Sequence, residues 1–308
     1  MSGFMDELRP RVVVIGAGLS GLACARRLQE RGADVLVVDA ADAVGGRIRT
    51  DEIDGFRLDR GFQVMLTAYD ELQAHVDLDT LDLRVFAPGS LVWSGRRLEQ
   101  LSDPFRAPSA LLASARARIG TLEDKLRVAN LRRRLLRRSP DAMFEGVERS
   151  TLDELRAEGF SEAFIEQFFR PFLGGVFLER SLDTSSSLFR YYFRCFAAGD
   201  AAVPARGMQR LPELLAAPLE GRIRLNTTVR ATSPGSVTLD DGSTIEADEI
   251  VLATDATSAE ALGDVEAPSF KRTVTSYFSA TEPPVEQALL ILDGEGSGPA
   301  NQIGRAHV

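Results

Sequence analysis

One stretch near the N-terminus limits the fold more than any other. Arg11-Val12-Val13-Val14-Ile15 is a β-branched run with no polar residue after its first position, the pattern of a strand buried on both faces. It leads into Gly16-Ala17-Gly18-Leu19-Ser20-Gly21, a GxGxxG turn, and then into Leu22, Ala23, Ala25, Arg26 and Leu28, which continue as a helix closing at Gly32. A second apolar run, Val35-Leu36-Val37-Val38, ends in Asp39, 18 residues past the last glycine. Strand, glycine turn, helix, strand and acid make a complete βαβ unit of the dinucleotide-binding kind. Gly16 permits the tight turn, Gly18 lets backbone approach a pyrophosphate, and Gly21, beside the small Ala25, lets helix and strand pack closely. The helix beginning at Leu19 and Ser20 turns free N–H groups and a positive dipole end toward phosphates. Asp39 is placed to accept hydrogen bonds from ribose hydroxyls, and its charge repels a 2′-phosphate. This unit alone leaves NAD and FAD both open.

The residues that follow favour FAD. Gly45-Gly46-Arg47 lies just past the second strand and offers close backbone approach plus a cation, able to neutralise a pyrophosphate or stand near a flavin. Nicotinamide dehydrogenases have no general need for such an element. A hairpin is expected to end in Arg60-Gly61-Phe62-Gln63, where a glycine beside an aromatic and an amide suits backbone passing a flat ring system.

With these motifs on the page, the chain resembles the FAD-dependent amine oxidase superfamily, which includes monoamine oxidases, protoporphyrinogen oxidase and the phytoene desaturases. Pro204-Ala205-Arg206-Gly207-Met208-Gln209-Arg210-Leu211-Pro212 is similar to the family's P-x-G-G-M entry to a helix, with Arg206 where glycine is common. Asn226-Thr227-Thr228-Val229 and the later Ile250-Val251-Leu252-Ala253-Thr254-Asp255 resemble its return into the FAD domain. The resemblance implies that the Val229 backbone contacts the adenine. It also implies an α/β architecture: a doubly wound, Rossmann-like FAD-binding domain of residues 1–83 and 204–262. A mixed helical and β substrate domain is expected at 84–203 and 263–308. FAD is the implied cofactor, a small molecule the substrate, and hydride transfer from a C–N or C–C bond to the flavin the reaction. Carotenoid- or porphyrinogen-type desaturation and non-catalytic flavin binding are the alternatives.

Candidates for side-chain catalysis are few. His75, in an expected helix, and His307 are the only histidines. There is no GxSxG elbow or HExxH motif, and Cys24 and Cys195 have no partner at metal-ligand spacing. This fits a reaction in which a flavin carries the chemistry and the protein supplies placement and electrostatics. Many family members carry a lysine near the flavin on a substrate-domain strand. Lys271, just before an expected strand at 273–280, is either that lysine or a surface lysine at a strand start, with a further strand expected at 288–292. Between residues 222 and 262, strands are expected at 223–225, 236–239, 244–247 and 250–253, with Asp241-Gly242 as a hairpin turn.

Two segments stand out in composition. Of 22 aromatic residues, 11 fall between Phe160 and Phe196. Phe164, Phe168 and Phe172 recur at helical spacing, which reads as a core stripe or, less simply, the wall of a lipophilic pocket. Residues 105–138 hold ten basic side chains against Glu123 and Asp124 in a chain whose net charge is −9. That segment is expected to be largely helical, with Leu122, Leu126, Ala129 and Arg133 on one stripe. It is either a solvated face or a peripheral contact with an anionic membrane or an acidic partner. The overall acidity argues against nucleic-acid binding. No apolar run reaches the roughly 20 residues of a spanning helix. No export signal and no disulfide framework are visible, so a cytoplasmic setting is expected. Nothing after residue 262 resembles the glycine-rich segment with which the family closes its FAD site. The last seven residues, 302–308, also back-translate into a widely used sequencing-library adapter. The chain is therefore expected to be a C-terminally shortened piece that holds FAD poorly and is inactive alone.

Overall fold

The computed structural model describes residues 11–61, 63–298 and 300–304. Phe62 and His307 lie outside the described residues. The opening βαβ unit forms as its sequence dictates: β1 (Arg11–Ile15), α1 (Leu19–Glu30) and β2 (Asp34–Val38). A hairpin follows, β3 (Thr50–Ile53) and β4 (Phe56–Asp59), then β5 (Met65–Leu66), α2 (Asp70–His75), β6 (Leu83–Val85) and a second hairpin, β7 (Gly89–Trp93) and β8 (Leu98–Ser102). The helical stretch comprises α3 (Leu111–Arg116), α4 (Leu122–Leu136), α5 (Thr151–Ala157), α6 (Glu162–Phe164), a π turn over Ile165–Phe169, α7 (Arg170–Phe177) and α8 (Ser186–Ala198). The chain returns through β9 (Ala201–Pro204), α9 (Arg210–Ala216), β10 (Ile223–Arg224), β11 (Val229–Ser233), β12 (Ser236–Leu239), β13 (Thr244–Glu246), β14 (Glu249–Leu252) and α10 (Ala256–Leu262). It then reaches β15 (Leu290–Asp293) and β16 (Gln302–Ile303).

The first sheet is wholly parallel, in the order β10-β2-β1-β14. The chain winds outward from β1 to β2 and β10, then returns to β14 on the other side, the doubly wound arrangement of a Rossmann-like FAD-binding fold. Both faces of β1 are covered, which is why its valines can run uninterrupted. On one face Leu22 and Ala25 of α1 and Leu211 and Leu215 of α9 pack with Val12 and Val14. On the other, Val13 and Ile15 meet Val237, Ile245 and Ala247 from the antiparallel meander β11-β12-β13.

A second core gathers Ile119, Leu131, Leu135, Leu155, Phe164, Phe169 and Phe189 from the helical stretch, with Val92 of β7 and Leu292 of β15. β15 lies parallel to β7 in a mixed sheet ordered β16-β15-β7-β8. In the small sheet β5-β9-β6, Met65 of β5 and Ala202 and Val203 of β9 pack into the first core.

Three details differ from the sequence expectation. Residues 273–280 form no strand: Val274 and Phe278 are each about nine-tenths exposed, so the alternating pattern finds no sheet edge among the described residues. The strand at Ile223 belongs to the parallel sheet, and the meander begins instead at Val229. The aromatic stripe is not one continuous α-helix either. The π turn adds a residue to one turn, so Phe164 and Phe169, five apart, are both buried and meet edge to face at 5.3 Å. Phe164, Phe168 and Phe172 still stack, at 5.2 and 5.7 Å between ring centres.

Candidate flavin site

Internal packing and backbone strain explain only part of the glycine turn. Gly16 has φ +111°, and a Cβ there would stand 2.5 Å from the Ala253 carbonyl oxygen at the end of β14. A Cβ on Gly21 would fall on the Gly16 carbonyl oxygen. Gly18 is different. Its φ of −73° and ψ of 177° suit any residue, and a Cβ would meet nothing within 4 Å. Neither backbone strain nor internal packing calls for glycine at that point. Just beyond it, α1 begins at Leu19 and Ser20 with no side chain capping its N-terminus and no acid in its first turn. Ser20 is exposed, so this positive helix end faces outward.

Asp39 sits at the end of β2, half-buried. Its carboxylate accepts from the N–H groups of Ala17 (2.6 Å) and Ala41 (2.8 Å), one on each oxygen, which leaves further lone pairs for hydroxyl donors. The main chain around it is tied to the later segment: Thr227 N donates to Asp39 O at 2.8 Å, and Asn226 N to Ala41 O at 2.9 Å. Val229 opens β11 opposite Leu239, two residues past that junction.

The Gly-Gly-Arg segment folds back on the turn. Gly45 N donates to Ala17 O at 2.8 Å, and a Cβ on Gly46 would stand 3.4 Å from Gly18 Cα. Arg47 is exposed and makes no ion pair among the described residues. Its neighbours are engaged: Arg49 pairs with Asp42 at 3.1 Å and holds that carboxyl below its usual range, and Arg60 pairs with Asp51 at 2.8 Å. Two amides brace the segment. Gln63 Nε2 donates to Arg47 O (2.9 Å) and Arg60 O (3.1 Å), while Gln209 Nε2 donates to Val44 O (2.7 Å). The Oε1 atoms of both glutamines are buried without a partner among the described residues. Gly61, at φ +103°, has open space where a side chain would stand.

Sequence reading missed the support beneath these residues. Thr50 Oγ1 donates to Asp59 Oδ1 at 2.5 Å, Met208 N donates to the same carboxylate oxygen at 2.9 Å, and Gln209 N donates to Thr50 Oγ1 at 3.0 Å. The first hairpin thereby holds the start of α9, and Tyr277 adds a hydroxyl bond to Asp59 O. Burial and the nearby Asp59 charge push the Tyr277 phenol upward. The signal was present: Asp54-Gly55, both with positive φ, fix a two-residue turn that sets Thr50 opposite Asp59.

Other candidates stand apart. Lys271 is exposed and donates to Thr184 Oγ1 at 3.1 Å. His75 lies at the end of α2, as expected, 3.5 Å from Glu71. Cys24 and Cys195 are free thiols, and no His/Cys/Asp/Glu cluster suited to a metal occurs among the described residues.

The donor set fits a flavin dinucleotide. An open glycine and an uncapped helix end suit the pyrophosphate, Asp39 the ribose, Arg47 an anionic group, and the two orphaned amide oxygens N–H or O–H donors. Comparison with known proteins bears on the family and the cofactor. A family profile described as flavin containing amine oxidoreductase matches residues 19–286. Polyamine oxidase 1 of Oryza sativa subsp. japonica is 57% identical over 60 residues, 18% of this chain and 12% of its own length. Protoporphyrinogen oxidase 2, chloroplastic/mitochondrial, of Arabidopsis thaliana is 27% identical over 166 residues, 54% of this chain and 32% of its own. A putrescine oxidase redesigned at its cofactor site superposes with a TM-score of 0.60 at 21% identity, covering 83% of this chain and 60% of that one. The matches thus span well under half of the curated relatives' length. FAD is the cofactor that this likeness supports, and the chain belongs to the flavin-containing amine oxidoreductase family.

Proposed function

We propose that this chain binds FAD at the glycine turn and forms the cofactor-holding part of an oxidoreductase acting on a C–N or C–C bond of an amine or lipophilic substrate. Bound FAD supplies the hydride acceptor. The residues of the chain hold and orient it: the N–H groups at Leu19 and Ser20 face the pyrophosphate, and Asp39 accepts from the ribose. Arg47 offsets negative charge, and Gln63 and Gln209 present their free amide oxygens.

The observation that carries this reading is Gly18, a glycine with no strain and no neighbour to explain it. Its test follows directly. Gly18→Val should keep the parent's far-UV circular dichroism, because nothing stands within 4 Å of the added Cβ, yet lose saturable FAD binding in a fluorescence titration. Equal binding by parent and variant would refute the site. A panel of amines, polyenes and porphyrinogens offered to the FAD-loaded protein, with flavin bleaching as the readout, separates the substrate classes. A desaturase-type reaction is the second reading, favoured by the exposed apolar and cationic surface on α3 and α4. Flavin that binds and is bleached by no member of the panel would instead favour a non-catalytic role.

A further inference from the structure

The basic segment has a use that the flavin site does not absorb. α4 is two-faced. Asp124, Leu131 and Leu135 are buried against the second core, while Leu122, Leu126, Arg133 and Arg137 share the opposite, exposed face. The leucine stripe expected from spacing is therefore the outer stripe, not the core one. Phe105, Leu111, Leu112, Leu122 and Leu126 are each between 50% and 66% exposed. Isolated exposed leucines are ordinary, but five large apolar side chains within 22 residues are not. Lys125 joins the pieces by donating from Nζ to Ala117 O at 2.7 Å, which ties the end of α3 to α4. Arg132 holds Phe105 beside α4, its guanidinium 4.9 Å from the ring centre and 3.0 Å from Asp103. Between Phe105 and the Ala129, Arg133, Leu136 and Arg137 positions runs a groove of about 480 Å³.

The cations sort by direction. Arg106, Arg127, Arg132, Arg134 and Arg138 each pair with an acid. Arg116, Arg118, Arg133 and Arg137 are exposed and make no ion pair among the described residues. Unpaired cations thus share this surface with unburied leucines, in a segment of charge +8 within a chain of −9. We propose that the outer face of α3 and α4, with Phe105, docks on an anionic phospholipid surface. The apolar side chains enter the headgroup boundary, and Arg116, Arg118, Arg133 and Arg137 meet lipid phosphates and carboxylates. A bilayer fits better than a second copy of the chain, because pairing two such faces would set Arg133 and Arg137 against like charges. No helix among the described residues is long and apolar enough to cross a membrane, so the contact is peripheral.

The test is co-sedimentation of the purified chain with phosphatidylserine–phosphatidylcholine vesicles and with pure phosphatidylcholine vesicles. Binding is expected to the former only and to weaken steeply with salt, as screening shortens the reach of the arginines. The pairs Arg133→Glu with Arg137→Glu, and Leu122→Ser with Leu126→Ser, should each reduce the bound fraction at least tenfold while the far-UV spectrum is unchanged. No binding to the anionic vesicles would overturn the proposal, as would binding that both double variants retain. Concentration-dependent self-association in analytical ultracentrifugation, abolished by the same variants, would assign the face to a second copy instead. None of these readouts needs flavin, so this proposal and the assigned flavin site can fail separately.

Discussion

Removing one carboxylate should loosen two helices at once. Asp124 is fully buried and accepts four hydrogen bonds: from Thr121 N and Thr121 Oγ1 at 2.8 Å each, from Ser161 N at 2.8 Å, and from Ser161 Oγ at 2.7 Å. Thr121 caps α4 through a reciprocal capping box, and Ser161 caps α6 by accepting from Phe164 N at 3.2 Å. Burial alone would raise this carboxyl, but the donors from Ser161 and Thr121 outweigh it and hold the group below the ordinary aspartate range. Asp124→Ala takes the acceptor from the N–H groups of Thr121, an exposed residue, and of half-buried Ser161, at about 1 kcal/mol each, while the hydroxyls can partly redirect. Adding the lost cap, the expected destabilisation is about 3 kcal/mol, a large share of the stability a domain of this kind has. With a urea m-value of about 3 kcal/mol/M, the unfolding midpoint should fall by about 1 M at neutral pH. The assay is urea denaturation followed by Trp93 fluorescence, which reports on the sheet beside the second core. A midpoint within about 0.3 M of the parent would show that the four bonds contribute little and that water replaces the carboxylate without cost.

The remaining predictions concern a second carboxylate and one backbone turn. Burial would raise Glu179, but the Ser181 hydroxyl, the Thr184 N–H and hydroxyl, and the Leu182 N–H hold it at about 2, below its usual 4.5. A depressed native pKa stabilises above the unfolded value and is lost as pH falls through the folded one. Glu179→Gln should therefore cost about 1–2 kcal/mol at neutral pH, after discounting for solvent screening. The gap from the parent should close between pH 4.5 and about 2 in a pH series of thermal melts, and a gap constant with pH would refute this account. At the turn, Gly16→Ala combines a φ of +111° with a clash at Ala253, whereas Gly32→Ala, at φ +88°, meets open space. Thermal unfolding should show a loss of about 3 kcal/mol or more for the first and about 1 kcal/mol for the second. Equal losses would mean that β14 yields to the added methyl.

What the sequence disclosed was local and periodic. The turn from Gly16 to Gly21 and the acid at Asp39 announce themselves because each obeys a backbone or ligand constraint within one βαβ unit. The parallel partner at 250–253 was legible too, as an apolar run with turn signals before it. The relay of Thr50, Asp59, Met208 and Gln209 was not, because it joins a hairpin to a helix about 150 residues later through side-chain bonds that leave no period. β5 and β9 were hidden for a similar reason: a two-residue strand has no alternation to read, and its partner lies far along the chain. The π turn is invisible in spacing because Phe164, Phe168 and Phe172 keep a perfect helical interval across it. Residues 273–280 mislead in the opposite sense, showing strand-like alternation where no sheet edge among the described residues receives it.

The order of strands in the first sheet sets a schedule for biosynthesis. β1 receives β2 across 23 residues, as Arg11 pairs with Asp34, but its other edge meets β14 only across 237, as Val12 pairs with Glu249. At about 5–20 residues per second, that second edge waits about 10–50 s on the translating ribosome. Meanwhile the helices between Leu111 and Ala198 emerge with most of their own core and can collapse independently. A flat, apolar, half-paired strand is a template for pairing with another chain. The yield of folded protein should therefore depend on how fast residues 39–249 are made and on what shields residues 12–15 in the interval, rather than on how stable the finished sheet becomes.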